Sequence, residues 1–419
     1  MSMPASDLTR GAVTGLKVVD LSRVLAGPLC TQMLADHGAD VVKIEPPAGD
    51  ETRGLGPPFD AAGQAAYFGA VNRGKRGMAL DLSRANGRAV LEALLEGADV
   101  LVENFLPGTM ERWGLGYEAH LSERFPRLIY CAISGFGADG PLGGLPGYDA
   151  VLQAMCGLMS INGAQESGAT RVGVPIVDYV TGYNALTGVL LALAARERTG
   201  RGQRVEVTLF DTALGLLVPH AANWLCSGNT PGRLGSAHPN IAPYDKFAAA
   251  DGEIFLGILN DGQFRRFCQK VARDDLLDDP RFRTNADRLA HVAALRTELE
   301  RTLAKFTSEA LCRDLMQAGV PAGAVNTVPQ AFAQAHVAHR DMLVESEGHR
   351  APGVPVKLAR TPGGAGRRPP RFGEHARDIL ADAGFDERTI NGLIETGIVS
   401  PQRKDTALRR PTRTRPKQS

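Results

Sequence analysis

A lone aspartate closes an apolar run. In Arg171-Val-Gly-Val-Pro-Ile-Val-Asp178-Tyr-Val-Thr-Gly-Tyr-Asn184 the apolar residues read as a short buried strand. Leu186, Val189, Leu190 and Leu193 then follow at helical spacing. Asp178 is thus expected where a strand hands over to a helix, the place where α/β proteins bind ligands. Two roles fit it, and they can coexist. It can cap the helix by accepting free backbone amides. It can also act as a nucleophile, which needs the ionised carboxylate that a helix N-terminus favours.

Two further groups carry chemical potential. Gly135-Phe-Gly137-Ala-Asp-Gly140 has the spacing of a dinucleotide fingerprint. Pro141, Gly143, Gly144, Pro146 and Gly147 follow, so no helix opens on the last glycine and a nucleotide cofactor is not expected. What survives is a glycine-rich loop at a strand end, where backbone can approach a ligand closely. Asn72-Arg-Gly-Lys75-Arg76 is a compact basic cluster before a strand, and Arg112 follows the strand at Leu101-Val102-Glu103. Such groups suit a phosphorylated ligand, or they are solvated surface charges.

Metal chemistry is not expected. The six cysteines are scattered without a C-x-x-C pair, which reads as reduced, mostly buried thiols. His336 and His339 lie one turn apart in a polar stretch and read as a solvated face. The H-E-x-x-H and G-x-x-x-x-G-K-[ST] patterns are absent, which argues against zinc-hydrolase and P-loop chemistry.

The positioning elements follow from periodicity. Residues 16–45 read strand, turn, helix, strand, a βαβ unit whose parallel pairing demands a right-handed crossover. The alternation recurs with strands at 77–82, 99–103, 128–134 and 204–208, and helices at 87–97 and 179–197. This predicts an α/β chain with a doubly wound, Rossmann-like large domain. A long apolar helix is expected over 210–225. Loop chemistry near 226–245 marks a boundary, and residues 226–335 read as a smaller α+β domain with strands at 244–249 and 253–258 before helices. Residues 336–372 are Pro/Gly-rich and extended, and 374–397 form a helical pair. The basic tail at 400–419, with Arg403, Lys404, Arg409, Arg410, Arg413, Arg415 and Lys417, is expected to be disordered.

Composition bounds the partners. The chain has 419 residues, 43% hydrophobic and 22% charged, with a net charge of +1. That balance gives no reason to expect nucleic acid or a membrane surface as partner. No apolar run reaches the ~18 residues of a membrane span. The first residues lack a basic-then-apolar signal pattern, so a cytoplasmic protein is expected.

One block carries a resemblance. Ala98-Asp-Val-Leu-Val-Glu-Asn-Phe-Leu-Pro-Gly-Thr-Met-Glu-Arg-Trp-Gly-Leu-Gly-Tyr-Glu118 resembles the most recognisable segment of the class III CoA-transferases, the formyl-CoA and carnitine CoA-transferase family. Further motifs occur in the same order: Leu21-Ser-Arg-Val-Leu-Ala-Gly-Pro28, Val42-Lys-Ile-Glu-Pro-Pro47, Ile133-Ser-Gly-Phe-Gly137, Pro146-Gly-Tyr-Asp149, Ser236-Ala-His-Pro-Asn240, Gly319-Val-Pro-Ala-Gly-Ala-Val-Asn326 and Gly373-Glu-His375. The resemblance runs from about Leu16 to Val399, and its ordered series of motifs makes it specific.

The resemblance implies a nucleophilic Asp178 and CoA lying across the strand ends of the large domain. Matching CoA positions are Leu25, Ala26, Leu80, Asn104, Phe105, Arg112 and the loop Ser134, Gly135, Phe136, Gly137, with Lys75 and Arg76 as phosphate partners. It implies an interlocked homodimer, with 1–225 and a return segment 336–399 forming the large CoA-binding domain. Acyl-CoA and a carboxylic acid are then the substrates, with no metal and no nucleotide cofactor. Backbone amides of the loops at 135–140 and 256–262 are expected to stabilise oxyanions.

Departures narrow the reading. Formyl-CoA transferases carry Gln where this chain has Leu25, and a longer glycine-rich loop where it has 256–262, which argues against formate or oxalate. Racemases of the family carry His where this chain has Tyr148, and a phenol is a poor proton shuttle at neutral pH. The surroundings of His220-Ala-Ala-Asn223 and His238 are most similar to members acting on succinyl-CoA and dicarboxylic acids. Arg171, His238 and Asn240 would hold a distal carboxylate or serve as loop hydrogen-bonding groups. The alternatives are a 2-methylacyl-CoA racemase and a non-catalytic acyl-CoA-binding protein.

Overall fold

The structure, a computed structural model, describes residues 11–401; residues 402–419, nearly all of the basic tail, lie outside it. Strands β1 (Lys17–Asp20), β2 (Asp40–Glu45), β3 (Arg76–Leu80), β4 (Val100–Glu103), β5 (Ile129–Ser134) and β6 (Arg204–Thr208) pair in parallel in the order 3-2-1-4-5-6. Val399–Ser400 adds an antiparallel edge along β3. Strand cores such as Val18-Val19, Val41-Val42 and Val100-Leu101-Val102 are buried, as expected of a sheet covered on both faces. Helices α1 (Ala26–Asp36) and α2 (Ala85–Leu95) provide crossovers. Strand order reverses between β1 and β4, which opens a crevice outside their carboxyl ends.

The described chain divides into two compact units. One holds residues 11–152, 174–216 and 338–401; the other holds 153–173 and 217–337. The return segment brings Ile379 and Leu380 into the same core as Met78 and Leu80 of the large sheet. The second unit has an antiparallel sheet of Tyr244–Ala248, Glu253–Gly257 and Ala322–Ala324. Phe247, Ile254, Phe264, Phe267, Leu299 and Leu315 pack its core.

Three local expectations change. The apolar run before Asp178 forms no strand: Val174 is 58% exposed, and a helix, α3 (Ile176–Thr199), begins directly after Pro175. Alternation with glycine and proline left that run without a pairing partner. At 24 residues α3 is also long and apolar enough to span a bilayer by composition, a property the run-length reading missed. Its Gly182 instead packs on α1, where a Cβ would stand 2.8 Å from the Ala26 carbonyl oxygen. The long helix expected over 210–225 is two helices, Leu209–Gly215 and His220–Ser227. Pro219, with no amide to donate, follows the break, and the boundary between the units falls there.

Candidate active site

The loop after β1 is held from below by buried charge. Asp20 accepts from the Ser22 amide at 2.9 Å, from Thr31 Oγ1 at 2.6 Å and from Lys75 Nζ at 2.9 Å. Burial opposes its charge, but Lys75 and Lys43 with the Ser22 and Thr31 hydroxyls prevail and hold the carboxyl at about 2. Lys43 Nζ donates to the Ser22 carbonyl at 2.8 Å and pairs with Asp50 at 3.0 Å. Ser22 is therefore gripped on both sides.

From above, Asn104 closes the loop. Its Oδ1 accepts the Arg23 amide at 2.8 Å, and its Nδ2 donates to the Arg23 carbonyl at 2.7 Å. These two bonds bridge β1 and β4 across the reversal of strand order. Val24 then adopts φ +68, a left-handed conformation that a β-branched residue holds only when its surroundings enforce it. The turn delivers Leu25 and Ala26, the start of α1, into the crevice.

Asp178 lies in the first turn of α3 and faces this crevice, a cleft of about 260 Å³. The cap of α3 is Asp149, whose Oδ2 accepts the Val177 amide at 2.8 Å and the Asp178 amide at 3.3 Å. Asp178 is thus relieved of the capping role expected for it. Burial first, and the Asp149 carboxylate second, push the Asp178 carboxyl up to about 7. These effects outweigh the helix N-terminus, which alone would favour the ionised form. The cleft wall is tight: a Cβ on Gly135 would stand 2.8 Å from the Gly147 nitrogen.

Leu25, Ala26, Asn104, Phe105, Ser134 and Gly135 line this cleft, together with Tyr148. Leu80 and Phe105 line an adjoining apolar crevice of about 340 Å³ with Pro46, Pro47, Leu82 and Trp113. Arg112 is exposed and donates to Thr109 Oγ1 at 2.8 Å, and Thr109 lines that crevice. Phe136 packs on Phe210 and the Gly137 amide donates to Ser134 Oγ; neither residue lines the two clefts.

Lys75 and Arg76 do not fit the phosphate role. Lys75 is fully buried and spends its donors on Asp20, the Pro28 carbonyl and Asn72. Arg76 begins β3, at the end away from Leu80, and pairs with Asp40 and Asp382. Among the second-unit loop amides, Gly257, Ile258 and Leu259 already donate to Pro321 O, Pro243 O and Gln263 Oε1. Those three amides are therefore not open to an oxyanion.

Arg171, His238 and Asn240 belong to the second unit. Arg171 donates to the carbonyls of Val172 and Gly173. His238 Nδ1 accepts the Asn240 amide, and Asn240 Oδ1 accepts from Asn223. Sequence reasoning missed Arg23, Glu51 and Asp149. Arg23 and Asp149 stand inside recognised motifs, but the 29-residue separation that makes Asp149 the cap of α3 leaves no local trace.

Comparison with known proteins supplies the family. The model of CoA-transferase family III matches residues 13–376. A succinate–glutarate CoA-transferase of Agrobacterium fabrum is 40% identical over 388 residues, 90% of this chain and 97% of that protein. An acetyl-CoA:oxalate CoA-transferase of Acetobacter aceti is 41% identical over 352 residues, 84% and 90% of the two. A crystal structure of a CAIB/BAIF family protein from Brucella suis has 40% identity and a TM-score of 0.81, covering 90% of this chain and all of that one (100%).

Proposed function

The chain belongs to CoA-transferase family III, and from that membership we propose that it moves CoA from succinyl-CoA to a small dicarboxylic acid with Asp178 as covalent nucleophile. The observation that carries this reading is the Asp178 carboxyl, uncommitted to the helix cap and turned into a cleft at the strand-order reversal. The dicarboxylate comes from the relative named for glutarate. The relative named for oxalate keeps that acid among the acceptors, against the expectation from Leu25 and the short loop at 256–262.

The ionised Asp178 attacks the donor thioester, giving a mixed anhydride and CoA thiolate. The thiolate attacks the aspartyl carbonyl, which releases the donor carboxylate and leaves an aspartyl thioester. The acceptor carboxylate displaces the thiolate to form a second anhydride, and the thiolate then takes the acceptor acyl group and frees Asp178. One difficult exchange becomes several easier ones. The tight backbone around Gly135 suits a planar thioester approaching Asp178.

A homodimer, interlocked as the family resemblance implies, forms part of this reading. Support comes from exposed apolar side chains such as Leu191, Val218 and Leu225. A cytoplasmic location is likewise inferred, and six unpaired cysteines suit a reducing compartment.

The test is CoA exchange without ATP. Protein is mixed with succinyl-CoA and glutarate, hydroxymethylglutarate, itaconate, mesaconate, malate, citramalate, oxalate or carnitine, and new thioesters are read by chromatography and mass. A thioester formed by the natural protein and not by Asp178→Ala supports the reading. Solvent deuterium entering the α-carbon of a 2-methylacyl-CoA would support a racemase instead. CoA binding without either activity would point to a binding protein.

A further inference from the structure

Two clefts share a wall of three residues. The Asp178 cleft and the apolar crevice share Arg23, Phe105 and Leu106 in their linings, and Arg23 is the only cation among the residues lining either. With Lys75 and Arg76 committed elsewhere, a polyanionic ligand spanning both clefts meets its counter-charge at this junction.

We propose that Arg23 is the residue that binds the diphosphate of CoA, and that Glu51 is the counter-ion holding it ready when CoA is absent. The proposal rests on the family-based reading above. CoA has a flat aromatic adenine at one end, a thiol at the other and a diphosphate between. The crevice offers Pro46, Pro47, Leu82 and Trp113 to the first, and the cleft offers Asp178 to the second. The connecting charge must then pass the shared wall.

Arg23 is built for that place. Its backbone is fixed by the Oδ1 and Nδ2 of the Asn104 side chain, so the side chain of Arg23 starts from a rigid base. The guanidinium lies 6.0 Å above the Phe105 ring, also at the junction. Among the described residues it has one hydrogen-bond partner, Glu51 Oε1 at 2.7 Å, and its buried Nε–H has none. A planar fork with donors to spare matches two adjacent phosphates. The Glu51 carboxylate is 57% exposed, so exchange of carboxylate for diphosphate needs no buried charge to be left alone.

The experiment measures binding of CoA, 3′-dephospho-CoA and pantetheine to the full chain by calorimetry, with a melting curve for each variant. Arg23→Met should weaken CoA and 3′-dephospho-CoA alike, by about tenfold or more, and leave pantetheine unchanged. Arg23→Lys should restore part of the loss, since it keeps the charge without the fork. Glu51→Gln should tighten CoA by about two- to fivefold, because it removes a competing anion. Native affinity of Arg23→Met for CoA would overturn the proposal. So would a loss confined to the 3′-phosphate form, an equal loss for pantetheine, or weaker CoA binding by Glu51→Gln. If the natural protein binds no CoA, the transferase reading itself fails.

Discussion

Asp149 holds the helix that carries Asp178, and in doing so it raises the carboxyl it presents. Its Oδ2 accepts the amides of Val177 and Asp178, while its charge adds to burial in pushing Asp178 up to about 7. One carboxylate takes the capping work and leaves the other free for chemistry. The ionised fraction of Asp178 is then set within the neutral range.

The pH dependence follows from that value. A nucleophilic carboxylate works only when ionised, so kcat/KM for CoA transfer should rise with pH through about 7 and level off above it. An acid limb near the ordinary carboxylate value of 3.8 would contradict this. Stability should move the other way. Because the folded protein holds the Asp178 proton more tightly than the unfolded chain does, ionisation costs stability from about pH 4 upward, and the cost is complete above about 7. Asp178→Asn should therefore melt higher than the natural protein at about pH 8, by on the order of 5 °C, with the difference vanishing near pH 4.

Asp149 can be separated into its two roles. Asp149→Asn keeps an acceptor for the α3 amides but removes the charge, so the acid limb of the activity profile should shift to lower pH. Asp149→Ala removes the cap as well and should cost about 1 kcal/mol of stability in denaturant unfolding. An unmoved acid limb in the asparagine variant would mean that burial alone sets Asp178.

Lys75 provides a test of structure against ligand binding. Lys75→Met strands Asp20 among buried groups and should destabilise the fold by about 3–5 kcal/mol. The double variant Asp20→Asn, Lys75→Met should recover much of that loss. A phosphate ligand would behave otherwise, with weaker CoA binding and an unchanged melting curve.

Gly135 is a matter of space. A methyl group there meets the backbone nitrogen and Cα of Gly147 at 2.8 and 2.9 Å, so one of the two loops must move. Gly135→Ala should lower kcat/KM for transfer by about tenfold or more through displacement of the cleft wall. Near-normal activity would show that the wall can yield without disturbing Asp178.

Much of the scaffold was legible in one dimension. Val100-Leu-Val102 is a continuous apolar run and Val41-Val-Lys-Ile44 is apolar but for Lys43; both lie between helical spacings and both ended in the parallel sheet. The motif at Glu103-Asn104-Phe105 identified the family, and Asn104 and Phe105 do line the cleft. The break at Pro219 was written in the sequence but was overruled by the apolar residues around it.

Periodicity and motif order thus determined the α/β architecture, the family and the placing of Asp178 at a helix start, because each is encoded by near neighbours or by the order of short segments. Pairings across long separations were decided only by the fold. Lys75 reads as a surface cation until β3 brings it over Asp20, 55 residues away, and Asn104 reads as a ligand until it closes on Arg23, 81 residues away. Whether a charged or amide group meets solvent, a ligand or another chain segment depends on which groups surround it in space, and only the tertiary structure fixes that.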